Sequence, residues 1–174
     1  MSDGPATQAI ETYHFADDGT VPNNTLPLVV YRGALPDCGD RAAYCEAMFA
    51  RNNWPDSWHN GIYSYHHYHS TAHEVLGCYA GSARVQFGGE QGVTKTLQAG
   101  DVVMIPAGVG HKNLGASGDF GVVGAYPAGQ DYDMNYGRPG ERPAADRKIE
   151  RVPLPESDPV LGREGPLLRH WSRA

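Results

Sequence analysis

The chain has 174 residues, a formal net charge of −6 and a fifth of its residues charged. That length suits one domain whose apolar core stands without disulfides or a structural metal. The acidic balance, with no Lys/Arg run ahead of the tail, argues against a nucleic-acid partner. No apolar run approaches the length of a membrane span, so a membrane protein is not expected either.

The N-terminus and the cysteines predict a cytoplasmic protein. The opening segment, MSDGPATQAIETYHF, has neither a basic start nor an apolar stretch, so we expect no signal peptide. The three cysteines lack paired spacing, which suits a reducing cytoplasm better than a disulfide framework.

The first predicted elements are a strand and one amphipathic helix. We interpret residues 1–25 as a leader, and the apolar run LPLVVYR at 26–32 predicts an early strand. Apolar residues then recur at helical spacing, with a cap candidate at Asp37 or Asp40. The run ends at NNWP because the residue before a proline resists the helical conformation. We expect this helix, at about residues 38–52, to pack on the outside of the domain.

Many short strands are predicted after the helix. The high content of glycine (22) and proline (13) suits strands joined by tight turns, and the segment GGEQG marks a hairpin. No strand alternates with a helix, so the economical architecture is an all-β jelly-roll barrel over residues 26–137. The strand candidates are residues 62–69, 74–80, 83–87, 94–98, 101–105 and 120–126.

The tail at residues 138–174 is rich in proline and charge and lacks the periodicity of a long helix or strand. Two interpretations are open: a disordered tail, or an extended arm packed on the barrel or on a partner subunit. Its apolar side chains favour the arm, because a disordered segment seldom carries so many. They are Ile149, Val152, Leu154, Val160, Leu161, Leu167, Leu168 and Trp171.

Candidate metal ligands stand in two blocks, GIYSYHHYHSTAHEVLGCYAG and GDVVMIPAGVGH. His67 and His69 are alternate residues, which on a strand point to the same face, so their imidazoles can reach one point. Glu74 adds a carboxylate on the next strand candidate, and His111 in the second block is the fourth candidate. Three imidazoles and one carboxylate suit a divalent Fe, Mn, Ni, Zn or Cu ion with open coordination positions, and we place iron first.

The spacing of these residues resembles the two signature motifs of the cupin superfamily. The fixed positions that match are Gly61, His67, His69, Glu74 and Gly81, and then Gly100, Pro106, Gly108 and His111. The family pattern has Asn where this chain has Gly115, a position that is usually structural in cupins. From about residue 12 to residue 171, the chain resembles a group of small single-domain bacterial cupins of unknown function. The resemblance implies an RmlC-like double-stranded β-helix, this metal site and a homodimer formed by sheet packing.

The direction of the ligands predicts which neighbours share their cavity. If the two histidines of the first motif point inward, Tyr63 and Tyr65 do as well. By the same alternation, an inward Glu74 implies that Leu76 and Cys78 point inward. We therefore expect a possible substrate pocket lined by these two tyrosines, the leucine and the thiol.

Two further histidines compete with the assigned ligands. His66 should point opposite to its neighbour, away from the metal. His73 would exchange places with Glu74 if the strand slipped by one residue. Spacing favours the carboxylate, which leaves His73 as a partner of a ligand or as the alternative ligand.

The function must be argued from the site, because the cupin fold hosts many activities. The first hypothesis is an enzyme with oxygenase-like chemistry on a small molecule, or an isomerase or lyase that uses the metal as a Lewis acid. The second is a non-catalytic protein that binds a small ligand or the metal. Metal-free sugar-nucleotide epimerase chemistry is the weaker third, because the ligand set is complete. No Ser/His/Asp or Cys/His nucleophile arrangement competes with the metal site. The sequence does not identify the catalytic residues of such an enzyme.

Overall fold

Two antiparallel sheets make up the domain in the computed structural model, which describes residues 9–172. The larger sheet has the strand order β1-β2-β7-β4-β9-β3 and the smaller has the order β6-β5-β8. The strands are β1 (Ile10–Tyr13), β2 (Leu28–Tyr31), β3 (Trp58–Asn60), β4 (Glu74–Ala80), β5 (Ser82–Phe87), β6 (Val93–Gln98), β7 (Val102–Ile105), β8 (His111–Ala116) and β9 (Gly121–Ala125). The helices are α1 (Arg41–Arg51), α2 (Ala144–Arg151) and α3 (Leu167–His170). The predicted all-β jelly-roll class is confirmed.

The inner core lies between the two sheets. Side chains alternate along the central strand β4, so Leu76 and Cys78 point to the smaller sheet and pack in one buried cluster with Val85 and Phe87. The neighbouring strands β2, β7 and β9 are buried throughout because both of their faces are covered. The larger sheet therefore forms the middle layer of the domain.

Helix α1 covers the outer face of the larger sheet. It begins after Asp40, whose side chain accepts a hydrogen bond from the backbone N–H of Ala43 at 2.9 Å, so Asp40 is the predicted cap. The helix approaches β4 closely at Gly77, where an added Cβ would lie 2.4 Å from the sulfur of Cys45. The predicted outside position of the helix is confirmed, and its buried residues are Cys45, Met48 and Phe49.

The tail packs on the same outer face beside α1. Its residues Val160, Leu167 and Trp171 are buried in one cluster with the outward side chains of the sheet. The indole N–H of Trp171 donates to the carbonyl oxygen of Pro27 at 2.7 Å. Up to residue 172 the tail is therefore an ordered arm on its own barrel, with the two short helices α2 and α3 that its sequence did not predict.

Two strand predictions need correction. The strand expected at 62–69 is wrong, because residues 61–66 have no strand pairing and only His67 and Tyr68 form isolated bridges. The strands β1, β3 and β8 were not predicted: β1 and β3 are only four and three residues long, and the sequence of β8, HKNLGA, is polar with weak strand character. Within residues 9–172, none of the helices is long and apolar enough to span a bilayer.

Candidate metal centre

Three buried histidines meet at one end of the barrel. His111 opens β8, while His67 and His69 lie on the irregular segment beside it. Reciprocal backbone hydrogen bonds of 3.2 and 3.0 Å join His67 and His111, and their ring centroids are 3.9 Å apart. One ligand atom from each of the three imidazoles lies within 4.8 Å of the other two. The structure thus brings three of the four predicted ligands together.

Backbone carbonyls orient all three rings. Nδ1 of His67 lies 3.2 Å from the carbonyl oxygen of Tyr65. Nδ1 of His69 lies 2.6 Å from the carbonyl oxygen of Asp133, and Nδ1 of His111 lies 3.2 Å from that of Val109. A carbonyl can only accept, so each Nδ1 carries a hydrogen, and whenever the ring is neutral its Nε2 keeps the lone pair. This is the arrangement in which metal-binding histidines are usually held.

Glu74 lies beside two histidines of this cluster. It is the first residue of β4, where it pairs with Ile105 of β7. Its Oε1 lies 3.2 Å from Nε2 of His111 and its Oε2 lies 3.4 Å from Nε2 of His69. Burial favours the neutral acid, but the charges and hydrogen bonds of the two histidines outweigh it and hold the pKa of Glu74 far below its usual range. The side chain is therefore a buried carboxylate.

The two histidines of the first motif differ electrostatically. Burial, and next the neighbouring His111, lower the pKa of His67 to about 3, so this ring is neutral at physiological pH. Burial also disfavours a charged His69, but the adjacent Glu74 outweighs it and raises the pKa of His69. Of these two rings, His69 is therefore the one whose environment favours the protonated form.

These donors fit a divalent transition metal. A carboxylate in contact with imidazole nitrogens that keep their lone pairs is unfavourable unless a cation lies among them. Such a cation is either a proton shared by the cluster or a metal ion. Three imidazoles and one carboxylate match the preferences of the ions predicted from the sequence.

A cavity of about 220 Å³ opens from these side chains to the surface. Its wall is polar at the four candidate ligands, His59 and Asn60, and aromatic or aliphatic elsewhere. In addition to the four metal-site residues, its lining includes Trp58, Ile62, Tyr63, Leu76, Tyr126, Tyr132 and Met134.

Tyr126 links the cavity wall to the carboxylate. Its hydroxyl accepts a hydrogen bond from the indole N–H of Trp58 at 3.1 Å. Burial, followed by the negative charge of Glu74, raises the pKa of Tyr126 far above its usual range, and a hydrogen bond with Glu74 acts in the same direction. The phenol therefore keeps its proton and can donate it in a hydrogen bond to the carboxylate.

Comparison with known proteins agrees with this architecture. The pattern of the family described as Cupin matches residues 59–123, which contain all four candidate ligands. The protein YjlB of Bacillus subtilis (strain 168), whose function is uncharacterised, is 48% identical over 162 residues, or 92% of this chain and 96% of that relative. The chain belongs to the cupin family.

Solved structures show more distant likenesses to this cupin. The epimerase RmlC from Legionella pneumophila Philadelphia 1 is 12% identical with a TM-score of 0.40, covering 69% of this chain and 72% of its own. A variant of oxalate decarboxylase from Bacillus subtilis is 18% identical with a TM-score of 0.37, covering 67% of this chain and 29% of its own.

The predicted tyrosine and cysteine lining of the cupin cavity is wrong in part. Tyr63 and Tyr65 are 49% and 43% exposed, because residues 61–66 are not a strand and the alternation fails. Tyr63 still borders the cavity, while Tyr65 stacks on it outside the lining. Leu76 lines the cavity as expected. Cys78 points inward as expected, but it lies deeper along β4, where inner-core side chains fill the barrel.

The two histidines that compete with the assigned ligands, His66 and His73, lie apart from the three-imidazole cluster. His73 is fully buried on the outer face of the larger sheet, where its Nδ1 accepts from the backbone N–H of Ala107 at 2.9 Å. Its ring packs on Trp171 with centroids 4.8 Å apart. His66 points away from the cluster and lies 2.6 Å from a carboxylate oxygen of Glu90.

Several lining residues were not assigned to the pocket from the sequence. Tyr126 and Tyr132 belong to the aromatic and acidic run after β9, which can be read as a rim or as a connector. Trp58 and the two residues after it lie on β3, which the sequence did not predict as a strand. For Tyr126 and Tyr132, the sequence feature that could have indicated the pocket is the high density of aromatic residues at 126–136.

Proposed function

We propose that this cupin is a metal-dependent enzyme acting on a small molecule at a mononuclear site formed by His67, His69, His111 and Glu74, with oxygenase-like chemistry. One observation carries the proposal. Three imidazoles, each oriented by a carbonyl oxygen, converge where an open cavity ends, and a buried carboxylate lies within 3.4 Å of two of their Nε2 atoms.

The open cavity favours catalysis over a structural metal. Structural sites are usually closed by protein ligands, whereas catalytic sites keep a position open to substrate. Iron is our first choice, because imidazole and carboxylate ligands with open positions are typical of non-haem iron oxygenases. Such an ion supplies redox and Lewis-acid chemistry when it is bound.

The protein's own residues would hold and orient both the metal and the substrate. The carbonyl of Asp133 fixes the ring of His69, and Tyr126 would steady the carboxylate of Glu74 by hydrogen bonding. The aromatic and aliphatic side chains of the lining would limit water around the substrate and strengthen polar contacts inside the cavity. The volume of about 220 Å³ lies below the range of about 300–1,000 Å³ typical of drug-sized ligands, which favours a small substrate.

A non-catalytic binding protein is the second candidate. Beyond the proposed metal ligands, the described lining offers only His59 and tyrosines as proton-transfer groups. A site with few acids and bases also suits simple ligand retention. An isomerase or lyase that uses the metal as a Lewis acid would need the same ligands.

Oxygen consumption separates these candidates. Protein loaded with Fe(II) would be screened in an oxygen electrode against small phenols, thiols and keto acids. We expect oxygen consumption with at least one of these classes of compound, and we expect His67→Ala to abolish it. The adjacent His66→Ala variant is the matched control, because that side chain contacts Glu90 instead of the cluster. A fully metal-loaded protein that converts none of these compounds, with or without oxygen, would support the binding protein instead.

We also propose a cytoplasmic homodimer. All three cysteines are free, which suits a reducing compartment. The arm covers its own barrel, and the edge strand β1, where Ile10 is 39% exposed, is one surface that a partner could pair with. Light scattering should report twice the chain mass at micromolar concentration, and a monomer would contradict this proposal.

A further inference from the structure

Two pairs of stacked tyrosines border the cavity. Tyr63 and Tyr65 have ring centroids 5.0 Å apart and nearly parallel planes, at 14°. Tyr126 and Tyr132 are also 5.0 Å apart, at 21°. Three of these four rings belong to the cavity lining. Stacking holds each ring in a defined orientation, so the cavity presents flat, fixed walls.

Each tyrosine pair borders one of the histidines. The ring of Tyr63 meets His67 nearly edge-on, with centroids 5.3 Å apart at 80°. The ring of Tyr132 meets His69 with centroids 5.2 Å apart at 70°. A molecule held against these tyrosines is therefore also held beside the imidazoles.

The exposure of these rings indicates that a ligand covers them. Tyr63 is 49% exposed and Tyr132 is 52% exposed, although both border a cavity that ends at the buried histidines and Glu74. Exposed apolar surface around a cavity commonly marks a binding site. Aromatic rings gain most from a flat aromatic partner, which can stack on them or meet them edge-on.

The charge of the lining restricts the ligand further. Among the described residues that line the cavity, none is Lys or Arg, and Glu74 is the one carboxylate. Phosphate and multiple carboxylates are usually recognised by such cations, most often by arginine. His59, the remaining titratable nitrogen of the lining, lies 2.5 Å from Glu46 and is already paired. The cavity therefore disfavours phosphorylated and polyanionic molecules.

We propose that the ligand of this cavity is a small phenol with a single ring and no phosphate group. This assignment rests on the proposed function, since it takes the cavity to be the substrate site. The ring packs against Tyr63 and Tyr132, and the hydroxyl points to the cluster of imidazoles and carboxylate. The volume of about 220 Å³ favours one ring over a fused or nucleotide-linked ligand.

Calorimetry with three matched probes tests the ligand class. Phenol, cyclohexanol and phenyl phosphate would each be titrated into the full-length, metal-loaded protein. We expect phenol to bind about 10-fold more tightly than cyclohexanol, as a flat ring stacks and a puckered one does not. Phenyl phosphate should bind no better than cyclohexanol. Equal binding of phenol and cyclohexanol, tighter binding of phenyl phosphate, or no binding of phenol would overturn the proposal.

Tyrosine variants test whether the named rings carry the selectivity. We expect Tyr63→Leu and Tyr132→Leu each to weaken phenol binding by about 2- to 10-fold, the size of one aromatic contact, while changing cyclohexanol binding little. Tyr44→Leu is the matched control, since Tyr44 is 43% exposed on α1 and outside the cavity lining. An equal effect in the control, or none in the two cavity variants, would contradict the proposal.

Elemental analysis of the same samples separates the two levels of inference. Bound metal without phenol selectivity would overturn the ligand class and leave the proposed metal enzyme standing. Phenol selectivity without metal uptake would support the ligand class and contradict the proposed metal chemistry.

Discussion

The imidazole of His69 is held by the backbone of Asp133, whose carbonyl oxygen lies 2.6 Å from Nδ1. This contact joins a proposed ligand on the segment before β4 to the connection that follows β9. It places a hydrogen on Nδ1, so that in the neutral ring Nε2 keeps its lone pair and faces Glu74. The loop after the last barrel strand is thus part of the site as well as part of its rim.

The side chain of Asp133 should matter for metal affinity through this loop. Its carboxylate accepts hydrogen bonds from the backbone N–H of Ser70, at 2.6 Å, and from the hydroxyl of the same serine. Asp133→Ala removes both and loosens the carbonyl that orients His69, so we expect metal affinity to fall about 10-fold. Competition with a fluorescent chelator measures the change. Asp131→Ala, an exposed neighbour on the same loop, should be unaffected, and equal losses would argue against this linkage.

The fourth ligand can be assigned by comparing Glu74 with His73. Glu74 lies within 3.4 Å of two imidazole nitrogens, whereas His73 packs on Trp171 on the outer face of the sheet. We expect Glu74→Gln to weaken metal retention clearly more than His73→Gln, which should cost no more than about 10-fold. Dialysis against graded chelator measures both variants. A site emptied by His73→Gln but still occupied in Glu74→Gln would reverse the assignment.

Much of the candidate site could be predicted from the sequence because the proposed ligands follow fixed spacings. The alternation of a strand correctly brought His67 and His69 to one point, although the segment forms only an isolated bridge. The same rule failed at Tyr63 and Tyr65, since alternation does not hold where strand pairing is absent. At Cys78 the rule correctly predicted an inward side chain, but this side chain packs in the inner core and does not line the cavity. Side-chain direction alone does not show where along a strand the cavity ends.

The arm could be predicted as ordered but not placed. Its apolar residues indicated packing, but the choice between its own barrel and a partner depends on contacts distant in sequence. One such contact is the buried carboxylate of Asp158, which accepts a hydrogen bond from the hydroxyl of Tyr31 on β2. No local pattern marks a pair 127 residues apart.

Asp158 should therefore be a major contributor to stability. Besides the hydroxyl of Tyr31, it accepts from the backbone N–H groups of Val160, Leu161 and Leu167 at 2.8, 3.1 and 3.2 Å. Asp158→Ala leaves these buried donors without their acceptor, so we expect the free energy of unfolding to fall by about 3 kcal/mol. Urea denaturation measures it.

The matched control for this variant is Glu156→Ala, an exposed acid two residues earlier. It should change the free energy of unfolding by less than about 0.5 kcal/mol. A similar small change in Asp158→Ala would show that the arm is held by its apolar side chains alone.

The metal content of the purified protein tests the central claim most directly. Elemental analysis should find about one transition-metal ion per chain in the wild type and in His66→Ala, whose side chain contacts Glu90 outside the cluster. The triple variant His67→Ala, His69→Ala, His111→Ala should lose nearly all of it and remain folded by circular dichroism, since the barrel has its own apolar core. Full metal content in the triple variant, or a wild type that takes up no metal on loading, would contradict the account.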